Sequence, residues 1–212
     1  GEDTRAAKNS IVLKGTDISS AHPGRRRKLG LHFVPEERLG RGAVPTLSLA
    51  QNLLLTRQES IHLKTGWINV KGLKNHAQKI IEKFKVKAGG PDAMARSLSG
   101  GNLQKFIMGR EIDASPQLLI VSQPTWGVDV GASAQIRNEI LALRDKGCAV
   151  LVISEEIEEL FILSDRLQVV AKGRLSPSIA IEEASVEKIG EWMSGLWDQA
   201  TASIDKKETT HA

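Results

Sequence analysis

Tyrosine is absent from this sequence, and cysteine occurs once, as Cys148. A single cysteine excludes an internal disulfide framework and fits a reducing compartment. Cys148 opens the apolar run 148–153 (Cys-Ala-Val-Leu-Val-Ile), which marks it as a small core residue rather than a nucleophile. With four Trp and four Phe in 212 residues, the chain lacks the stacking platforms that single-stranded nucleic-acid binding wants. The longest apolar runs, 118–121 and 148–153, are strand-sized and far short of the ~18 residues of a membrane span. His22, His32, His62, His76 and His211 are scattered without metal-ligand spacing. The first residues, Gly-Glu-Asp-Thr-Arg, have no signal-peptide character and no initiator Met, so the sequence reads as a cut piece or a processed product.

What is present is an ordinary globular composition, 41% hydrophobic and 25% charged, long enough for one large domain or two small ones. The net charge of +4 conceals a division. Residues 1–110 hold 20 Lys and Arg against 8 Asp and Glu, a net +12, whereas residues 111–212 carry a net −8. Such asymmetry points to a polyanionic or nucleotide partner. A basic nucleic-acid-binding domain is one reading of the +12 half, but the run Arg25-Arg26-Arg27-Lys28 has no interleaved aromatics and reads as a solvated segment.

Periodicity predicts a short strand at 11–13 with a turn and second edge, a basic helix at 24–28 opened by Pro23, and a strand at 31–34. A charged, Gly-rich loop follows at 36–45. Leu49, Leu53 and Leu54 mark a helix, and a basic amphipathic helix over 70–85 carries Leu73, Ala77, Ile80, Ile81 and Phe84 on one face. A helix follows Gly101 and reaches Ile112. Then come an apolar strand at 118–121, a helix at 132–144, an apolar strand at 148–153 and an acidic helix at 155–163. A closing hairpin begins at 166, a last helix spans 185–196, and 200–212 reads as a disordered tail. Apolar strand, helix, apolar strand, helix implies an α/β fold with a parallel sheet covered on both faces.

The strongest chemical signal is the octapeptide 98–105, Leu-Ser-Gly-Gly-Asn-Leu-Gln-Lys. Two glycines behind a hydroxyl open a helix whose first N–H groups and positive end face outward, which suits a phosphate. The alternative, a Ser cap followed by small residues, suffices for Ser-Gly-Gly alone but not for the whole octapeptide with its neighbours. The octapeptide closely resembles the signature motif of ABC-type ATPases, and nearly the whole chain takes part in the likeness. Segment 118–121 followed by Ser122-Gln123-Pro124-Thr125 stands where that family has its Walker B strand. Gly127-Val128-Asp129 stands at the D-loop, Ser154-Glu155-Glu156 at the switch-histidine segment, and Pro35-Glu36-Glu37-Arg38 at the Q-loop. The combination is most similar to the second half of tandem-ABC sugar or nucleoside importer ATPases.

The resemblance implies a P-loop NTPase-like ABC ATPase domain with a parallel-sheet core and a helical subdomain, truncated before its first βα unit. The implied segments are 1–47 (core strands and Q-loop-like segment), 48–113 (helical subdomain and signature helix), 114–199 (Walker B-like region to the C-terminal core) and the tail. It implies ATP with Mg²⁺ as cofactor in the assembled complex. The implied partners are a second ABC half or ATPase subunit and integral membrane permease subunits, with no nucleic acid, at the cytoplasmic face of a bacterial inner membrane. Ser99, Gly100, Gly101 and Asn102 are the implied phosphate clamp, offered in trans, with Asp129 as a cross-interface contact or, alternatively, a helix cap.

The departures from the family pattern are as informative. No Gly-x-x-x-x-Gly-Lys-Ser/Thr occurs, so the phosphate-cradling loop and its lysine are missing. Ser122 and Gln123 replace the Walker B acids, Glu155 replaces the switch histidine, and Glu36 replaces the Q-loop glutamine. Phosphoryl transfer depends on positioning and charge stabilisation, so these changes predict a degenerate site and no self-contained hydrolysis. A non-catalytic interaction module that kept an ABC-like shape is the alternative. Trp126 replaces the small or basic residue expected before Gly127 and receives no role from the sequence.

Overall fold

The computed structural model describes residues 6–57 and 68–197, which form two compact units dividing after Ile153. The division falls inside the segment 114–199, and the tail at 200–212 lies outside the described residues.

The first unit opens with the antiparallel pair β1 (Val12–Leu13) and β2 (Thr16–Asp17), which turns through Lys14 and Gly15, both at positive φ. The basic helix α1 (Pro23–Lys28) starts on its proline, as expected. Its run of cations is not simply solvated. Arg26 donates to the Ser19 carbonyl at 3.2 Å, and Arg27 reaches the buried Glu111 at 3.0 Å.

Three strands, β3 (Leu31–Val34), β4 (Leu118–Ser122) and β5 (Ala149–Ile153), form a parallel sheet in the order β3-β4-β5. Val34 pairs with Val121 and Ser122 with Ile153, so the strands end at one common carboxyl edge. Parallel neighbours require crossovers. One crossover is α5 (Val130–Asp145), which buries Ile136, Ile140 and Leu143 as their spacing predicts. The other holds α2 (Leu49–Thr56), α3 (Val70–Lys83) and α4 (Gly100–Ile112). Leu119 and Val121 of β4 are fully buried. Cover on both faces does not extend to β5, where Leu151 and Ile153 are each about half exposed.

Local chemistry fixes each helix end. Ser48 and Gln51 form a reciprocal capping box on α2. Behind it the buried Asn52 accepts from the Val44 N–H and donates to the carbonyls of Val44, Leu47 and Ser48. Helix α3 ends two residues before the predicted Lys85. Lys85 is left-handed there (φ 50°), and the Val86 N–H bonds back to the Ile81 carbonyl at 2.8 Å. That is a Schellman-type end, which satisfies carbonyls the helix would otherwise leave free.

Helix α4 packs against α2, α3, α5 and β3, and every residue from Leu103 to Ile112 is buried. Gly109 makes that possible: a Cβ there would lie 2.5 Å from the Phe84 ring, itself fully buried. Alanine favours an exposed helix interior over glycine by up to about 1 kcal/mol. Here the overlap dominates, and Gly109→Ala is expected to lower stability by about 1–3 kcal/mol in urea denaturation.

The second unit holds α6 (Ile157–Leu163), the antiparallel pairs β6 (Arg166–Leu167) with β9 (Ile179–Ala180) and β7 (Val170–Ala171) with β8 (Arg174–Leu175), and α7 (Val186–Met193). The expected hairpin is β7–β8, and the β6–β9 pair is additional to it. Its core gathers Leu167, Val169, Ala171, Ile179, Ile189, Trp192 and Trp197. Glu158 and Glu159 occupy the first turn of α6, where the helix dipole favours acids. No helix among the described residues is long and apolar enough to cross a membrane.

Candidate functional site

Helix α4 begins at Gly100, with Ser99 in extended conformation before it. The first intrahelical bond runs from the Leu103 N–H to the Ser99 carbonyl. The N–H groups of Gly100, Gly101 and Asn102 therefore precede the helical ladder and face forward with the positive helix end. Ser99 makes no capping bond. Its Oγ instead accepts from the Asn102 amide at 2.9 Å, which leaves the hydroxyl proton available for an incoming acceptor. The Asn102 carbonyl oxygen accepts the Lys87 N–H at 2.8 Å, tying the signature turn to the loop after α3.

Ser99, Gly100, Gly101 and Asn102 line a cavity of about 340 Å³ whose remaining walls are Lys87, Lys105, Gly127 and Asp129. Five residues singled out by sequence are thus gathered at one place. Lys105 closes the octapeptide but receives no role from the sequence, and Lys87 is not singled out at all, because nothing in the Lys-rich stretch after α3 shows that its chain reverses onto α4. Lys105 is buried, and its Nζ lies 3.2 Å from the Lys85 carbonyl. A wider groove of about 980 Å³ shares Lys87, Lys105 and Asp129 and adds Lys83, Lys85 and Lys146.

Asp129 caps α5 by accepting the Ala132 N–H at 2.9 Å. That bond, aided by the charges of Lys105 and Lys87, holds its carboxyl below the usual aspartate range. The two readings of Asp129 coexist in one residue, which caps a helix and lines the cavity.

Behind the cavity, Gly101 abuts the next loop so closely that a Cβ would lie 3.2 Å from the Gly127 carbonyl. Arg38 joins the same elements. Its Nε donates to Gln104 Oε1 at 3.1 Å, its Nη2 donates to the Trp126 carbonyl, and its guanidinium lies 5.6 Å from the Trp126 ring centroid. Gln104 also donates to the Pro124 carbonyl at 3.0 Å.

Three of the altered residues lie elsewhere in the first unit. Ser122 ends β4, and Glu36 is exposed two residues past Val34, so both leave the carboxyl edge of the sheet. Gln123 follows in the left-handed region (φ 51°), and its N–H bonds the Ile153 carbonyl at 2.8 Å. None of the three lines the cavity of Ser99 and Asn102. Glu155 belongs to the second unit. A hydroxyl, an amide and one exposed carboxylate make a poor set for Mg²⁺, which favours carboxylates and phosphates. By contrast, backbone N–H groups, a hydroxyl and two lysines suit a phosphate.

A parallel sheet with a helical insertion, and a Gly-rich signature turn at a helix N-terminus, define the class: the chain is a partial ABC-type ATP-binding domain. It is 38% identical over 193 residues to the nucleoside import ATP-binding protein NupA of Lactococcus lactis, which covers 91% of this chain. It is 39% identical over 196 residues to the glucose import ATP-binding protein TsgD13 of Haloferax volcanii. The chain spans only 38% and 36% of those two relatives' lengths. No family model matches it. The fold is that of the ATP-binding cassette MJ0796, solved as a dimer in a post-hydrolysis state bound to ADP and Pi. That likeness has a TM-score of 0.66 at 16% identity, over 80% of this chain and 72% of the other. The cassette MJ1267 aligns with a TM-score of 0.63 at 23% identity, over 84% and 74%.

Proposed function

We propose that this chain is the greater part of one ATP-binding half of an ABC-type importer for a sugar or nucleoside, and that it serves ATP bound on a second half. Ser99, Gly100, Gly101 and Asn102 would hold the terminal phosphate of a nucleotide seated on the partner half. That arrangement would make ATP binding draw the halves together and hydrolysis release them. Lys87 and Lys105 add positive charge on the walls, and Asp129 lies where the closing surface would meet the cavity. The observation that carries this reading is the cavity itself. It joins unpaired helix-terminal N–H groups, a hydroxyl with a free proton and two lysines, a donor set complementary to phosphate.

The chain's own nucleotide site is silent in this reading. Ser122 and Gln123 supply no carboxylate to hold Mg²⁺ or to polarise water. Mg²⁺ and ATP are accordingly placed on the partner half, where the ion would neutralise charge developing on the phosphates. In this reading the partners are membrane permease subunits and the site of action is the cytoplasmic face of the bacterial inner membrane, a placing that accords with relatives named as import ATP-binding proteins. The 212-residue chain, incubated with Mg²⁺ and ATP in a phosphate-release assay, is expected to show no turnover above background. Robust Mg²⁺-dependent turnover would contradict the silent site.

A further inference from the structure

Arg38 occupies a position that the proposed phosphate chemistry leaves unexplained. It leaves the loop after β3 and enters the seam between the N-terminus of α4 and the loop 124–129, where it bonds both elements. Nε is bonded to the side chain of Gln104, Nη2 to the backbone of Trp126, and the guanidinium carbon lies over the Trp126 ring, 5.6 Å from its centroid. Gln104 extends the chain of bonds to the Pro124 carbonyl. The seam is closed by glycines. A Cβ on Gly100 would lie 2.8 Å from Arg38 Nη1, and one on Gly127 would lie 3.4 Å from Nη2. Partial burial pulls the guanidinium's pKa down, yet its two hydrogen-bond acceptors and the ring keep the charge satisfied.

The cost of placing a cation beside the positive end of α4 makes this arrangement specific. A lysine could not reproduce it, since one ammonium cannot bond Gln104 and Trp126 in a fixed plane while lying over the ring. Arg38 touches the two elements that carry the walls of the cavity. Ser99 and Gly100 stand on the α4 side, and Gly127 and Asp129 on the loop side. We propose that Arg38 is a positioning residue, which locks the loop 124–129 against the N-terminus of α4 and thereby sets the width of the cavity between Ser99 and Asp129. Trp126, exposed at its ring, is the cover of that lock. This assignment rests on the cavity being the one that meets ATP.

The test has a structural arm and a functional arm. For the first, the chain is labelled with fluorotryptophan and its fluorine NMR spectrum recorded, Trp126→Phe identifying the Trp126 line. Arg38→Ala should shift and broaden that line while the lines of Trp192 and Trp197, buried in the second unit, stay in place. Arg38→Lys, the gentler variant should alanine unfold the chain, should do the same. An unmoved Trp126 line in a folded variant, or full restoration by lysine, overturns the lock. In the full-length polypeptide, Arg38→Ala should lower kcat for ATP hydrolysis by about tenfold or more with KM for ATP unchanged, because a loosened cavity misplaces the clamp rather than the bound nucleotide. An unchanged kcat there, with Ser99→Arg inactive, overturns the positioning role. If Ser99→Arg leaves hydrolysis intact, the in-trans reading fails, and the NMR result still decides the lock.

Discussion

Glu111→Ala is expected to lower the stability of the chain by about 3–5 kcal/mol, the cost of leaving a buried charge without its partner. Glu111 is fully buried near the end of α4. One carboxylate oxygen accepts from His32 at 2.6 Å and from Arg27 at 3.0 Å, the other from Arg110 at 2.7 Å. Arg110 is itself buried and donates onward to the carbonyls of Gly42 and Asn52. The cluster therefore joins β3, α1, the loop before α2 and the signature helix through four side chains. Alanine would strand Arg110 among carbonyls with no anion to balance it. Such a loss is a large share of the 5–15 kcal/mol that typical domains possess.

The same residue predicts an acid limb. Burial alone would push the Glu111 carboxyl up, but Arg110, the His32 hydrogen bond and Arg27 outweigh it and hold it at about 2, below the ordinary 4.5. Because the folded value lies below the unfolded one, the contribution is fully present above about pH 4.5 and is lost as pH falls toward 2. Denaturation midpoints of the wild-type chain should fall across that window. In Glu111→Ala the fall should be shallower, its own titration having been removed. Parallel slopes in the two proteins would mean that the carboxylate is not the group responsible.

The second large effect is functional. Ser99→Arg in the full-length polypeptide is expected to reduce ATP hydrolysis, and transport with it, by about a hundredfold. An arginine at that position fills the cavity mouth, removes the hydroxyl and breaks the bond from Asn102 that orders the turn. Ser99 is exposed and carries no packing load, so stability should be unaffected. Loss of activity with unchanged melting would separate a clamp from a structural cap.

Most of the fold was legible because its elements rest on short-range patterns. The β3, β4 and α5 segments read directly from apolar runs and helical spacing, and the signature turn from its two glycines. What was not legible depended on contacts distant in sequence. The split of charge after Arg110 was visible as a composition change, yet Arg110 and Glu111 form a buried ion pair in the core. Adjacent charges on a helix ordinarily face water, and only the convergence of His32, Arg27 and Asn52 makes them interior residues. The sequence places Arg38 only within a Q-loop-like segment and gives Trp126 no role. Their cation–ring contact across a long sequence separation gives the tryptophan a structural place. Cys148 is buried as the apolar run 148–153 suggests, but the half exposure of Leu151 and Ile153 is not legible, because an apolar run does not reveal which of its edges and faces will be covered.

The central claim is that this half lends its signature while its own site stays silent. It is tested most directly by comparing Ser99→Arg with Gln123→Asn for ATP turnover in the full-length polypeptide. Asparagine keeps an amide and tolerates the left-handed backbone of Gln123. The account predicts that turnover collapses in the first and persists in the second. Turnover that persists in Ser99→Arg, or collapses equally in both, would contradict it.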